Sequence, residues 1–507
     1  MKVLEKKVPL EELKSILESE KKIGKKVALC LGVFDLVHPG HIRHFQEAKS
    51  KSDILVVAIT ANKYVNKGPD RPVFDEKMRI DSVAAIGCVD YVILNDHPDG
   101  IQTILDVAPD FYVKGVEYKK HQDDITGKIK EEANAVKQVN GEILYTDDVV
   151  FSSSKLLNTY FRDGSDKFQQ FIKNFKKNHS YNEISEIIDR FTALKVLVIG
   201  DAIIDQYVYV EPMGVSGKGT HLVARNHHVE TYLGGSFVVA NHIASFSPNT
   251  TLITAVGDQS INIESRLNKS IKKTLVTLEN TETLIKRRYV QKDGASLTKF
   301  FETYSNKGNS LTHSQTDFLV DYLEKEGDNF DLVLVCDFGN GFINPTLNKA
   351  ISNLSTFLAI NTQINSGNRG YHVVTKYDRA DYISLNEPEL RLTTHDLTTD
   401  LKLLVEDVCK NMSCKNMSTT RGVKGVSIYN KLQGHLKIPA LTQKVVDRVG
   451  AGDSYLALSS LALAVNENIE IAGFLGSAAA ALDVQIIGNK KCIEKIPFLK
   501  YITTLLK

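Results

Sequence analysis

Gly32-Val33-Phe34-Asp35-Leu36-Val37-His38-Pro39-Gly40-His41 follows the apolar run Val27–Leu31 and leads into His41–Lys51, whose apolar residues recur at helical spacing. A short apolar run ending at a glycine reads as a buried parallel strand. Pro39 and Gly40 read as the first turn of the helix after it. Unpaired backbone N–H groups and the positive end of the dipole favour phosphate at such a helix start, and Gly40 lets a phosphate approach the backbone. His38 and His41 share one face of that turn. Two such donors suit the charge that builds on a phosphorus under attack. Two histidines in a turn can equally be a surface feature, so the weight rests on what surrounds them.

Outward from this stretch the pattern repeats. The runs Ile54–Ile59, Tyr91–Leu94, Phe111–Val113 and Glu142–Tyr145 alternate with helix-like segments such as Asp123–Val139, which predicts β-α-β units and a parallel sheet. The pattern stops near Phe161. The polar stretch that follows carries Phe168, Phe171, Ile172 and Phe175 at helical spacing and predicts a helical connector. A second alternating series begins at Lys195, with strand candidates at Leu332–Cys336, Phe357–Ile360, Tyr382–Leu385 and Gly425–Tyr429, and ends in an Ala-rich helical third. The expected organisation is an extension over 1–25, an α/β domain over 26–161, a connector over 162–192 and a second α/β domain over 193–507.

Composition narrows the function classes. In 507 residues, 62 Lys+Arg against 61 Asp+Glu leave a formal charge of +1, so no polybasic footprint for nucleic acid or anionic membrane is present. Six scattered cysteines form no C-x-x-C pair and read as buried thiols of a reducing cytosol. Leu456–Ile487, the most apolar stretch, is broken by Asn466, Glu467, Asn468 and Glu470, too soon for the roughly 20 apolar residues of a membrane span. These features predict a soluble cytoplasmic protein.

A second chemical motif is Asp447-Arg448-Val449-Gly450-Ala451-Gly452-Asp453, ahead of an apolar helix. Gly450, Ala451 and Gly452 at a helix start offer successive N–H groups as an anion nest. Asp453 beside that nest is placed to take a proton from a hydroxyl as it attacks a γ-phosphate. Read alone, the same residues make a glycine-rich helix cap. His227-His228 with His242 lacks a third ligand at coordinating spacing and reads as surface or pocket histidines.

Over Lys26–Tyr160 the chain resembles the cytidylyltransferase-like nucleotidyltransferases, and within them the adenylyltransferase domain of bifunctional ADP-heptose synthases. The resemblance rests on Gly32–Asp35, on His38 and His41, on Lys67-Gly68 with Arg71-Pro72-Val73, and on Glu76 with Arg79. It continues through Pro109-Asp110, Val113-Lys114-Gly115-Val116-Glu117-Tyr118 and Phe151-Ser152-Ser153-Ser154-Lys155. It implies that His38 and His41 stabilise the transition state and that Gly32, Phe34, Asp35, Gly40, Lys67, Lys114, Ser152 and Ser153 bind the nucleotide. ATP is expected as the donor, with CTP the alternative.

From about Lys195 to Lys500 the chain resembles the ribokinase/PfkB carbohydrate kinases, particularly the kinase domain of the same heptose enzymes. The matching residues are Gly200-Asp201 with Asp205 and Tyr207, Gly234-Gly235, Asp337 with Gly341, Asn386 with Glu389, Thr420-Arg421-Gly422 through Gly425, and the turn ending at Asp453. The resemblance implies two α/β domains, the first Rossmann-like and the second ribokinase-like. It implies Asp453 as the catalytic base, Arg421, Gly450, Ala451 and Gly452 at the nucleotide, and Asp201, Asp205, Gly234 and Gly235 at the sugar. Asn386 and Glu389 would act indirectly on Mg²⁺ bound to ATP.

Departures stand at Arg448, Val238 and Asn340, and in the segment Asn361–Gly370. Either the pocket is re-cut for another acceptor, with Asn365 and Arg369 as new contacts, or the kinase has lapsed into a sugar-binding domain. The kinase also comes second here, whereas the heptose enzymes carry it first. The expectation is a homo-oligomeric enzyme acting on sugar phosphates and nucleotides, with neither nucleic acid nor membrane as partner.

Overall fold

The structure is a computed structural model that describes residues 3–69, 71–115, 128–146, 166–257, 262–294, 296–305, 310–465 and 468–506. Ser152, Ser153, Glu117 and Tyr118 lie outside the described residues. The chain divides into two compact units, Met1–Asp163 with Leu499–Lys507, and Gly164–Phe498.

The first unit is built on a five-stranded parallel sheet: β1 (Val27–Gly32), β2 (Ile54–Thr60), β3 (Tyr91–Asn95), β4 (Phe111–Gly115) and β5 (Glu142–Thr146), in the order β3-β2-β1-β4-β5. In β1, Val27 and Leu29 enter one apolar cluster, while Ala28 and Cys30 enter another on the opposite face. Burial on both faces is why the strands read as unbroken apolar runs. Helices α1 (Leu10–Lys22), α2 (Pro39–Ser50), α3 (Glu76–Ala84), α4 (Ile101–Val107) and α5 (Lys128–Gln138) complete the unit. The β1–α2 turn therefore lies at the carboxyl end of the strands beside the crossover, the usual ligand position of such sheets.

The second unit opens with α6 (Asp166–Asn178) and α7 (Tyr181–Arg190). Phe168, Ile172 and Phe175 are buried, and Phe175 stacks on Phe474 with ring centroids 4.2 Å apart. Apolar spacing along α6 thus marks a face packed within this unit. Its main sheet has nine strands. In chain order these are β6 (Val196–Gly200), β9 (Thr250–Gly257), β10 (Lys272–Leu278), β13 (Leu332–Asp337), β14 (Phe357–Thr362), β15 (Tyr382–Asn386), β16 (Asn416–Thr420), β17 (Val426–Asn430) and β18 (Gly434–Ile438). The spatial order is β10-β9-β6-β13-β14-β15-β16-β17-β18, antiparallel only at the β16-β17-β18 edge.

A separate four-stranded sheet, β12-β11-β7-β8, joins β7 (Ala202–Val215), β8 (Leu222–Gly235), β11 (Ile285–Asp293) and β12 (Ser296–Tyr304). Its long hairpin is buried near the base and exposed from Glu211 to His228. The sequence pattern passed over these strands because a hairpin standing off the core has no alternation of burial to display. Helices α8 (Ser236–Ala244), α9 (His313–Glu326), α10 (Pro345–Asn353), α11 (Glu387–Thr394), α12 (Leu401–Asn411), α13 (Ala451–Val465) and α14 (Ile469–Asp483) cover the main sheet.

Candidate active sites

In the second unit α13 begins at the Gly450–Asp453 turn. Gly450 has φ +92°, and a Cβ there would come within 2.6 Å of Asn489 Oδ1 and 2.7 Å of Asp483 Oδ2, so only glycine fits. The first N–H groups of α13 lack helical acceptors, as at any helix start. They face a cavity of about 480 Å³ that Asp453 also lines. Its lining includes the charged side chains of Asp205, Lys286 and Arg288 and the apolar ones of Val423, Leu441, Val445 and Val484, which suit a flat base. Burial pushes the Asp453 carboxyl up to about 7; Asp205 and Glu389 add to the rise, and Lys286 and Arg288 oppose it. A carboxylate poised there is matched to taking a proton near neutral pH.

Asp205 is buried and pairs with the Arg288 guanidinium, while its Oδ2 accepts from Asn489 Nδ2 at 3.1 Å. Lys286 is buried at 5% exposure, and its Nζ lies 5.3 Å from the Tyr304 ring centroid. Burial lowers its ammonium pKa and the Asp205 charge pulls it back. The parallel register of β11 on β7 sets Lys286 opposite Asp205 and Arg288 opposite Tyr207, so strand pairing itself brings these charges together.

In the first unit His38 caps α2: its Nδ1 accepts from Gly40 N at 3.1 Å, which places its proton on Nε2. The His38 and His41 rings stack with centroids 3.8 Å apart. Burial, His38, Lys67 and His44 hold the His41 pKa down at about 3, so the imidazole is a neutral donor until an anion arrives. Phe34 sits at φ +48°, an uncommon backbone for a bulky residue, and packs edge-on against His41 at 5.2 Å. A Cβ at Gly32 would come within 2.9 Å of that ring, so the glycine makes room for it.

The turn is braced from below. Arg79 is 1% exposed and donates to Val33 O at 2.7 Å, Asn62 Oδ1 at 2.6 Å and Phe74 O at 3.0 Å. Asp35 accepts from Val73 N and Phe74 N, both at 3.0 Å, with Arg71 Nη1 at 3.4 Å. Lys67 is half-buried, and Lys114 pairs with Glu132 at 2.9 Å. His44, unforeseen from sequence, holds Thr146 Oγ1 at 2.8 Å through Nδ1, and burial lowers its pKa to about 4.

Residues 193–496 match the family model described as pfkB family carbohydrate kinase. The chain belongs to that family. Residues 29–190 match the cytidylyltransferase-like family. A bifunctional protein HldE of Gluconobacter oxydans is 38% identical over 30% of this chain and 30% of its own length. Another, from Citrifermentans bemidjiense, is 23% identical over 61% of this chain and 63% of its own. The matches thus span less than two thirds of these relatives' lengths. Phosphofructokinase-2 of Escherichia coli, in complex with substrates and products, shares the fold at 15% identity and a TM-score of 0.50, covering 61% of this chain and 98% of that one. These matches give the order of the two domains in this chain; the expected reversal relative to the heptose enzymes is not borne out by them.

Within the pfkB-family domain several expected contacts take other roles. Asp201 accepts from Phe338 N, Asn340 N and Phe342 N at 2.8–3.3 Å, so it holds that turn and does not line the cavity. Burial and the neighbouring Asp337 push its carboxyl up. Gly234 lies against Asp205, while Gly235, at φ +60°, lines the cavity. Arg421 is tied to Glu387 at 2.8 Å; its neighbours Thr420 and Gly422 line the cavity instead.

Asn365 turns its side chain inward, accepting from Gly367 N at 2.8 Å and donating to Phe338 O at 3.2 Å. Arg369 is exposed and away from the lining. Lys286 and Arg288 also line the cavity; sequence reading missed them because Ile-Lys-Arg-Arg-Tyr resembles a solvated strand. The available signal was two cations two residues apart, which share one face of a strand. Of the departures, Arg448 lines the cavity, whereas Val238 and Asn340 are buried outside it. Asn386 lines the cavity and caps α11 in a capping box with Glu389. Among the described residues no helix is long and apolar enough to cross a membrane, and no cluster of three His, Cys, Asp or Glu could hold a metal by itself.

Proposed function

We propose that the chain is a bifunctional enzyme of nucleotide-sugar synthesis. Its pfkB-family domain transfers the γ-phosphoryl group of ATP to a hydroxyl of a sugar phosphate. Its cytidylyltransferase-like domain transfers a nucleotidyl group, adenylyl before cytidylyl, to a sugar 1-phosphate and releases pyrophosphate. The observation that carries the reading is that Asp453 shares one cavity with Lys286 and Arg288 and with the apolar Val423, Leu441, Val445 and Val484. Asp453 takes the hydroxyl proton as that oxygen attacks the γ-phosphorus; the bond to the β-phosphate oxygen breaks and ADP leaves. The N–H groups at the start of α13 hold the transferring phosphoryl oxygens. Lys286 and Arg288 hold the phosphate already on the acceptor. In the other domain a sugar 1-phosphate oxygen attacks the α-phosphorus of ATP, and His38 and His41 donate to the phosphate oxygens as pyrophosphate departs.

Mg²⁺ fits the kinase cavity through ATP. The Glu389 carboxyl is lifted to about 7 by burial, a cost that a nearby cation relieves, and Asn386 faces the cavity. When bound, Mg²⁺ spreads the charge of the phosphate oxygens. The apolar side chains of Met213, Val215 and Leu222, exposed on the β7–β8 hairpin, support a homo-oligomer. The near-zero charge and unpaired thiols support a cytoplasmic enzyme that does not bind nucleic acid. Incubation of the full chain with ATP or CTP, Mg²⁺ and a panel of phosphorylated heptoses and hexoses, followed by mass spectrometry, tests this reading. A bisphosphorylated sugar and an ADP-sugar are expected; no product gain from any member of the panel overturns it.

A further inference from the structure

Asp447 opens the turn that carries Asp453, and its buried carboxylate is the meeting point of three segments. Oδ1 accepts from Lys299 Nζ at 2.6 Å and from Val449 N at 3.2 Å. Oδ2 accepts from the Tyr207 hydroxyl at 2.6 Å and from Gly488 N at 3.0 Å. Two of these donors belong to the four-stranded sheet: Tyr207 on β7 and Lys299 on β12. Lys299 pairs with Val290 of β11, the strand that also carries Lys286 and Arg288. The Asp447 side chain is 1% exposed, whereas the Lys299 side chain is 36% exposed, so the ammonium reaches in from solvent to a carboxylate that has no access to it. A buried carboxylate that loses its cation keeps an uncompensated charge, and its neighbours shift to relieve it.

We infer that Lys299 is a positioning residue: through Asp447 it fastens the sheet bearing the acceptor-side cations to the turn that presents Asp453 and the phosphate-holding N–H groups. The inference rests on the kinase reading above for its catalytic consequence and on the ion pair alone for its structural one. It assigns Lys299 no contact with either substrate. The pair acts through Val449, whose N–H shares Oδ1 with the ammonium, so loss of Lys299 lets the carboxylate that holds the turn shift and carry Val449 with it. A displacement of the order of 1 Å at the reacting centre costs about a hundredfold in rate.

The test compares full-length wild type, Lys299→Met, Lys299→Arg and Tyr207→Phe by steady-state phosphoryl transfer, and by hydrogen exchange of the 447–453 amides. Lys299→Met is expected to lower kcat about tenfold to a hundredfold with the acceptor KM within about twofold. Exchange at 449–453 should quicken while β13–β16 stay protected. Lys299→Arg should restore kcat to within a few-fold, and Tyr207→Phe should reproduce a milder form of the defect. Wild-type kcat and wild-type exchange in Lys299→Met would overturn the inference, as would faster exchange throughout the second unit. If wild type transfers no phosphoryl group, the kinase reading falls and the exchange comparison still decides the positioning role.

Discussion

Lys286 carries its charge into the lining of the cavity, where the Asp205 carboxylate is the main group offsetting it, with Glu302 and Asp201 adding less, and Arg288 holds the Asp205 carboxylate directly. A cation in this setting is costly unless an anion completes it, which is the physical reason for expecting a phosphate on the acceptor. A charge-assisted hydrogen bond contributes about 1.5–3 kcal/mol. Lys286→Met should therefore raise the KM for a phosphorylated acceptor about tenfold to a hundredfold, leaving the KM for ATP and for an unphosphorylated sugar analogue nearly unchanged. Equal losses for both acceptors in steady-state kinetics would remove the phosphate from Lys286.

At the scale of elements, the β1–α2 turn depends on a side chain from α3. Arg79 supplies donors to the carbonyls of Val33 and Phe74, and Asp35 returns acceptors to Val73 and Phe74. Removing the guanidinium leaves buried carbonyls unpaired at about 1–3 kcal/mol each. Arg79→Leu should accordingly lower the melting temperature of the first unit and abolish pyrophosphate release, while γ-phosphoryl transfer persists. Intact nucleotidyl transfer at wild-type stability would show the brace to be dispensable.

The same elements explain what could be read in advance. The five strands of the first sheet and β6, β13, β14, β15 and β17 of the second were legible because burial leaves continuous apolar runs; β9, β10, β16 and β18 were not among the expected strands, and β1 and β13 differ from the expected spans by a residue. The small sheet was not, because its hairpin is exposed from Glu211 to His228 and shows no periodic burial there. Arg369 was chosen for residue type and Arg421 for its place in a family motif, and neither reveals that Glu387 already holds Arg421 or that Arg369 faces solvent. Asp453 and the His38–His41 pair lie in local turns, where a few adjacent residues dictate geometry. Lys286, Arg288 and Lys299 acquire their positions only through pairing of strands distant in sequence, and no local pattern carries that information.

For the molecule as a whole, the two units answer pH with opposite signs. His41 and His44 of the first unit are held at about 3 and about 4, below the 6.5 of an exposed histidine. The unfolded chain then binds more protons between those values, so this unit gains stability as pH rises from about 4 to 6.5. In the second unit the carboxyls of Glu389 and Asp453 are lifted to about 7 from 4.5 and 3.8, and Asp201 is raised as well. Their contribution is complete below the unfolded values and is lost as pH rises through 7; His242, held near 4, opposes it in part. Calorimetry should find the first unit's transition falling and the second's rising between pH 7.5 and pH 5. Two transitions moving together would contradict these assignments.

The central claim, two chemistries on two separate sets of residues in one chain, is tested most directly by ³¹P NMR of the full chain. Wild type, His41→Ala and Asp453→Asn would each be given ATP and Mg²⁺, with a sugar 1-phosphate in one tube and a heptose or hexose phosphate bearing a free hydroxyl in the other. In Asp453→Asn, ADP formation should disappear and pyrophosphate release from the sugar 1-phosphate should continue. In His41→Ala, pyrophosphate release should fall about 10²–10³-fold, the scale of losing one preorganised donor, with ADP formation unchanged. Loss of both products in either single variant would contradict the account.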